Sequence, residues 1–239
     1  MNNHIQFIDG IGNIIIRKSK RARYLNISIK PFKGVIVSLP IGVSYNSAAR
    51  LVNEKREWIL KNLEKVKLIE NNRMIFDEST SFQTKDHKLV IKKSDKENTS
   101  VRVVNSTIHV SYAKNADVRS DEIQSVIHAG IVRAIRKEAH EYLPERVEQL
   151  ARINGFKYEQ LRLKNIKSRW GSCSKRNNIN LSIHLMKLPN LLIDYVILHE
   201  LVHTIHKNHG PKFWKLLQHV TGNAKGLDKE LRNHRIKEY

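Results

Sequence analysis

Between Leu191 and Lys207, just after Pro189-Asn190, the chain runs almost wholly apolar, yet it sets His199, Glu200 and His203 into that run. Ile193, Val196, Ile197, Leu201, Val202 and Ile205 make the segment a core helix. Imidazoles and a carboxylate carried into a core are costly unless something pairs with them. The rest of the fold has to accommodate that partner.

His199-Glu200-Leu201-Val202-His203 matches the H-E-x-x-H pattern. On a helix, residues four apart lie about 40° from one another around the axis and about 6 Å along it, so both imidazoles can lean towards one ion. Glu200, about 100° round from His199, is better placed for a water beside the ion than for the ion itself, where a carboxylate acts as general base. The plain alternative is that both histidines only hydrogen-bond within the core. A catalytic zinc site needs a third protein ligand. His206 is rejected, being about 10.5 Å along a straight helix from His199. His209 is favoured, because a left-handed Asn208 followed by Gly210-Pro211 would swing it back over the metal. Asp228 or Glu230 on a later helix is the alternative. His184, His219 and His234 have no ligand spacing and read as surface or packing residues.

Upstream, the hydrophobic pattern divides the chain near residue 115. Residues 1–115 read as a β-rich part with one amphipathic helix, and residues 116–239 as the metal-binding catalytic core. Leu25, Ile27 and Ile29 turn at Pro31-Phe32-Lys33-Gly34 into Val35, Val37 and Leu39, an antiparallel hairpin. From about Ser44, Val52, Trp58, Ile59, Leu63 and Val66 give one helix. Strands follow at 87–91, 101–104 and 107–112, the last two joined at Asn105-Ser106. A long helix starts near Ser120, is expected to kink at Pro144 and stops at Asn154-Gly155. Tyr158 to Trp170 and Asn178 to Leu185 read as two more strands. A helix holds Phe213, Trp214, Leu216 and Leu217, and a last one runs from Leu227 to Lys237. The fold class is therefore α+β.

Composition narrows the setting. Cys173 is the one cysteine, so no internal disulfide forms and a reducing, cytoplasmic compartment is expected. The segment from Met1 to Ile16 lacks a basic n-region, and the apolar run from Leu191 to Leu198 is short and broken by Asp194, so neither export nor membrane insertion is expected. With 43 Lys and Arg against 23 Asp and Glu the formal charge is +20, which attracts polyanions. Those cations spread along the whole chain, and biased coding composition would explain them as well.

Several segments together resemble the YgjP-like metallopeptidases, kin to SprT-like and WLM-type zinc peptidases. They are Ser168-Arg169-Trp170-Gly171-Ser172-Cys173, Ile179-Asn180-Leu181, the HELVH helix, and Asn208-His209-Gly210-Pro211-Lys212-Phe213-Trp214. The resemblance is close from Leu161 to about Val220 and looser in the amino-terminal strands. It implies a zincin-like core, Zn2+ bound by His199, His203 and His209, and Glu200 as general base. The histidine spacing also equals that of metzincins, but their midway glycine is His206 here, so that clan is not assigned. In zincin-like folds the strand before the metal helix offers its edge to an extended peptide, a place matched by Asn178 to His184. That would make Trp170, Gly171 and Ser172 cleft neighbours, although Trp170 and Cys173 serve equally well as packing residues. Arg169 would either meet an anionic substrate or pair nearby.

A zinc-dependent hydrolase of metallopeptidase type, acting on peptide or unfolded protein, is the leading expectation. One alternative is a metal-dependent nucleoside triphosphate pyrophosphatase, which the basic surface suits but no Gly-rich phosphate loop supports. Another is a DNA-associated SprT-like protease, holding nucleic acid by its positive charge.

Overall fold

The computed structural model describes residues 3–30, 33–71, 74–234 and 236 of the chain. It is an α+β fold with a β-rich amino-terminal region followed by a helical core. Two compact units meet in sequence between Met74 and Ile75. The passage from sheet to helix near residue 115 lies inside the second of them. Among the described residues no helix is long and apolar enough to cross a membrane.

In the first unit, strands β1 (His4–Ile8), β2 (Gly12–Lys18), β3 (Asn26–Lys30) and β4 (Gly34–Leu39) form one sheet in the order β1-β2-β4-β3. The β3–β4 hairpin is antiparallel, with Ile27 opposite Val37 and Ile29 opposite Val35, as the alternation predicts. Its turn falls partly on Pro31 and Phe32, outside the described residues. Period-two alternation puts Ile14, Ile16, Val35 and Val37 on one face, where they pack with Ala48, Val52 and Ile59.

Those last residues come from two helices rather than the single one expected, α1 (Tyr45–Glu54) and α2 (Arg56–Asn71). Lys55 leaves helical geometry at φ −99, ψ 17. Lys55 N–H still donates to Leu51 O at 3.0 Å, and Ile59 N–H to Lys55 O at 2.9 Å. The hydrophobic phase therefore survives the break, which is why periodicity alone reads one helix. Trp58 is 49% exposed and does not belong to the apolar stripe.

The second unit opens with β5 (Lys88–Ser94), β6 (Ser100–Val104) and β7 (Thr107–Ala113), ordered β5-β7-β6. Asn105 and Ser106 both take positive φ, 46 and 57, the primed turn that a two-residue hairpin needs. Across this sheet lies α3 (Asp121–Ile153), capped by the Ser120 side chain and continuous through Pro144. It lies so close that a Cβ on Gly130 would stand 2.5 Å from Val101 Cγ2. Gly155, at φ +69, ends it. Two buried polar groups of α3 fix the incoming chain. Gln124 accepts from Phe76 N–H at 3.0 Å and donates to Phe76 O at 2.7 Å. Glu138 accepts from Asp86 N–H at 3.0 Å and from His87 Nδ1 at 2.8 Å.

Downstream come β8 (Gln160–Lys164), β9 (Gly171–Cys173) and β10 (Asn178–Ser182). Here the expected pair of strands needs correction. Trp170 lies outside a strand, and Ile183–Lys187 is a 3-10 turn rather than the end of β10. The additional strand β9 has only three residues, too short for an alternation to show. Beyond them lie α4 (Asn190–Val202), α5 (Pro211–Thr221) and α6 (Ala224–Asn233). The expected last helix begins earlier than Leu227, capped by Asn223, and ends at Asn233, while its expected end at Lys237 lies outside the described residues. Helix α4 packs against α3, β9, β10, α5 and α6, which makes it the centre of this unit.

Candidate metal centre

Helix α4 buries Leu192, Ile193, Tyr195, Val196, Ile197, Leu198, Leu201 and Val202, and carries His199 and Glu200 in its last turn. It stops at Val202, not near Lys207 as expected. His203 is its cap residue, still helical at φ −65, ψ −15, with its N–H on His199 O at 3.2 Å. The four-residue phase that brings the two imidazoles together is thus kept to its final step. After it the chain tightens: Ile205 and His206 N–H both reach back to Val202 O, at 3.1 and 2.9 Å.

This tightening has a chemical result. His203 Nδ1 lies 2.9 Å from His206 O. A backbone carbonyl only accepts, so Nδ1 carries the proton and Nε2 presents a lone pair. His206 therefore contributes its carbonyl, not its ring. The straight-helix distance that argued against its ring does not apply, because the helix has already ended.

His209 returns by a different route from the one expected. Asn208 is not among the described residues with positive φ, and Gly210 is extended at φ −77, ψ −179. The turn is made instead by Gly210 N–H donating to Asn208 O at 2.8 Å, after which Pro211 opens α5 at a position that needs no N–H. His209 Nε2 then stands 3.0 Å from His199 Nε2.

One ligand atom from each of His199, His203 and His209 lies within 4.8 Å of the others. A tetrahedral ion with Zn–N bonds of about 2.1 Å sets its nitrogens about 3.4 Å apart, so the donor set fits such an ion. Phe213 of α5, fully buried, touches all three rings, with centroid separations of 4.9, 4.6 and 4.6 Å to His199, His203 and His209. It is the floor that holds them convergent. The sequence marks it only as an apolar helix residue.

Burial pushes the His199 imidazole down to about 4, and the neighbouring His203 and His209 act in the same direction. Burial also lowers His203. Both rings are therefore neutral at pH 7, the state that binds metal. The alternatives for the third position are not part of that donor cluster. Asp228 accepts from Tyr195 Oη at 3.4 Å and from Arg232, and Glu230 is exposed on α6. His184 is a packing residue whose Nε2 donates to Asn165 Oδ1 at 2.8 Å.

Glu200 is 6% exposed, and its Oε2 has no hydrogen-bond partner. Burial pushes its carboxyl up to about 8, opposed by the Arg169 guanidinium. Its side chain lies across Gly171, where an added Cβ would stand 2.7 Å from Oε1 and 2.8 Å from Cγ. Glycine at 171 is therefore required by the carboxylate above it, a relation that no spacing in the sequence reveals.

The substrate-edge expectation needs a correction too. Strand β10 is the middle strand, parallel to β8 and antiparallel to β9, so its edges are both paired. Among the described residues, the edge strand that packs beside α4 is β9. Trp170 packs on the core and holds β10 through its carbonyl, which accepts from Ser182 N–H at 2.8 Å. Cys173 is half-buried, and burial pushes its thiol up. From the turn that carries His209, Lys207 Nζ donates to Ser174 O at 3.1 Å and to Asn177 Oδ1, tying that turn to the β9–β10 hairpin.

The histidine cluster is one that could hold a metal ion. Residues 23–234 match the family described as YgjP-like, metallopeptidase domain, and the chain belongs to that family. Among solved structures it is similar to the metallopeptidase zymogens abylysin of Pyrococcus abyssi and jannalysin of Methanocaldococcus jannaschii, each at 23% identity and a TM-score of 0.34. The match covers 38% of this chain in both cases, and 91% and 93% of the respective neighbours. No curated protein matches the chain.

Proposed function

We propose that the chain is a cytoplasmic zinc peptidase acting on extended or unfolded polypeptide, with His199, His203 and His209 holding the ion and Glu200 as general base. The observation that carries the reading is the convergence of three imidazole donors within 4.8 Å, beside a buried carboxylate with an unpartnered oxygen. An ion held there supplies a Lewis acid for the scissile carbonyl and makes a nearby water more acidic.

The chain's own residues do the rest. Glu200 Oε2 takes the proton as water attacks and returns it to the departing amine. Burial alone disfavours its charge, and a cation held beside it favours the carboxylate form that accepts the proton. The outer edge of β9 pairs with the backbone of an extended peptide, which fixes the scissile bond above α4 with little dependence on side-chain identity.

The test is metal analysis of the purified protein together with cleavage of unfolded casein. About one zinc per chain is expected, with cleavage lost to a chelator and restored by zinc. Release of pyrophosphate from nucleoside triphosphates with casein left intact would replace this reading with the pyrophosphatase one. Gly171→Ala tests the cradle: its Cβ displaces Glu200 but no histidine, so metal content is expected to hold while turnover falls on the order of 10²-fold. Unchanged turnover would show that Glu200 is free to shift without consequence.

A further inference from the structure

Acidic residues are distributed unevenly along the chain. From Gly10 to Asn53 there is no Asp or Glu, while that stretch holds eight Lys and Arg. At the overall acid content of 23 in 239 residues, about four acids would be expected there. The segment spans β2, β3 and β4 and the loop between β2 and β3, so the folded sheet inherits a positive charge that nothing within the segment offsets.

Pairing register shows where that charge points. Ile14, Ile16, Val35 and Val37 take one face into the core with the two helices, which leaves Arg17, Ser38 and Asn26 side by side on the other. On the same open face, Phe7 stands opposite Asn13 and is 69% exposed. The β2–β3 loop is held by Ser19 N–H on Leu39 O at 2.8 Å and turns by Ala22 N–H on Ser19 O at 3.2 Å. It projects Arg21, Arg23 and Tyr24, and Tyr24 is 81% exposed. A depression of about 520 Å³ lies between this loop and the sheet, lined by Arg21, Arg23 and Tyr24 and by the open-face residues Asn26 and Ser38. Among the described residues no ion pair engages Arg17, Arg21, Arg23 or Lys30.

We infer that this face and its loop, in the unit that does not carry the histidine cluster, bind single-stranded nucleic acid. Exposed rings set among uncompensated guanidinium groups offer the two things such a strand presents, base faces to stack and phosphates to neutralise. Tyr24 and Phe7 are the stacking platforms. Arg17, Arg21, Arg23 and Lys30 meet the phosphates, and the amide and hydroxyl of Asn26 and Ser38 sit where a base edge enters the depression. The two helices of this unit pack on the opposite face, so what meets the ligand is an open sheet, which suits unstacked bases rather than a duplex groove.

The experiment uses the full chain with fluorescein-labelled twelve-nucleotide oligo-dT and oligo-U, read by anisotropy at several salt concentrations. Four phosphate contacts on a single strand give a log–log salt slope of about −2.8, or about a 50-fold loss of affinity from 50 to 200 mM. Arg21→Gln with Arg23→Gln is expected to halve that slope. Tyr24→Leu is expected to weaken binding about 5- to 150-fold with the slope unchanged. Both substitutions lie on the exposed surface, and casein cleavage by these variants is expected to match the parent, which separates this site from the peptidase reading. A salt-independent signal, or affinity indifferent to both variants, overturns the inference. So does tighter binding of duplex of the same length, or of phosphatidylserine vesicles, than of the oligonucleotides.

Discussion

Glu200→Gln is expected to bind zinc as the parent does and to cleave unfolded casein about 10²- to 10⁴-fold more slowly, the usual contribution of a general base. The amide has nearly the shape of the carboxylate, so it lies across Gly171 in the same way and leaves the three imidazoles undisturbed. It cannot accept the water's proton. The informative result is the pair of measurements, metal content by mass spectrometry and turnover by casein cleavage. Metal retained with turnover lost places the base at Glu200. Metal retained with turnover intact moves the base elsewhere and removes the role proposed for the buried carboxylate.

The second large effect concerns the third ligand. His209→Ala is expected to lower zinc affinity by more than about 100-fold, because even the loss of an outer hydrogen-bond partner of a ligand costs about 10- to 100-fold. Competition with a chromogenic chelator measures it. The contrast is His206→Ala, which keeps the carbonyl that accepts from His203 Nδ1 and is expected to bind zinc nearly as the parent does. Asp228→Asn, whose carboxylate serves Tyr195 and Arg232, belongs with His206→Ala. The reverse order, with Asp228→Asn losing the metal and His209→Ala keeping it, would give the third position to the carboxylate.

Much of this arrangement can be read in the sequence because it is local. The buried helix around His199 announces itself by composition, the Ser120 and Gly155 ends of α3 by their caps, and the β6–β7 hairpin by Asn105-Ser106. The convergence of His199, His203 and His209 follows from an interval of eleven residues. What the sequence hides depends on partners distant along the chain. Gly171 is one glycine among ten until Glu200 lies across it. Phe213 is one more apolar residue until three rings rest on it. Strand order is also nonlocal: β9 has three residues, and only pairing shows that it, rather than β10, forms the edge. The end of α4 at Val202 was masked by the apolar Ile205, which continues the hydrophobic pattern after the helical bonds have stopped.

The Lys207 tether joins two parts that a designer would treat separately. Its ammonium clasps Ser174 O and Asn177 Oδ1 in the hairpin, while its backbone lies two residues before His209. On the proposed reading, reshaping the Ser174–Asn177 bend to alter peptide preference is therefore expected to tug on His209 as well, so that selectivity and ion retention would vary together as a single mechanical trait.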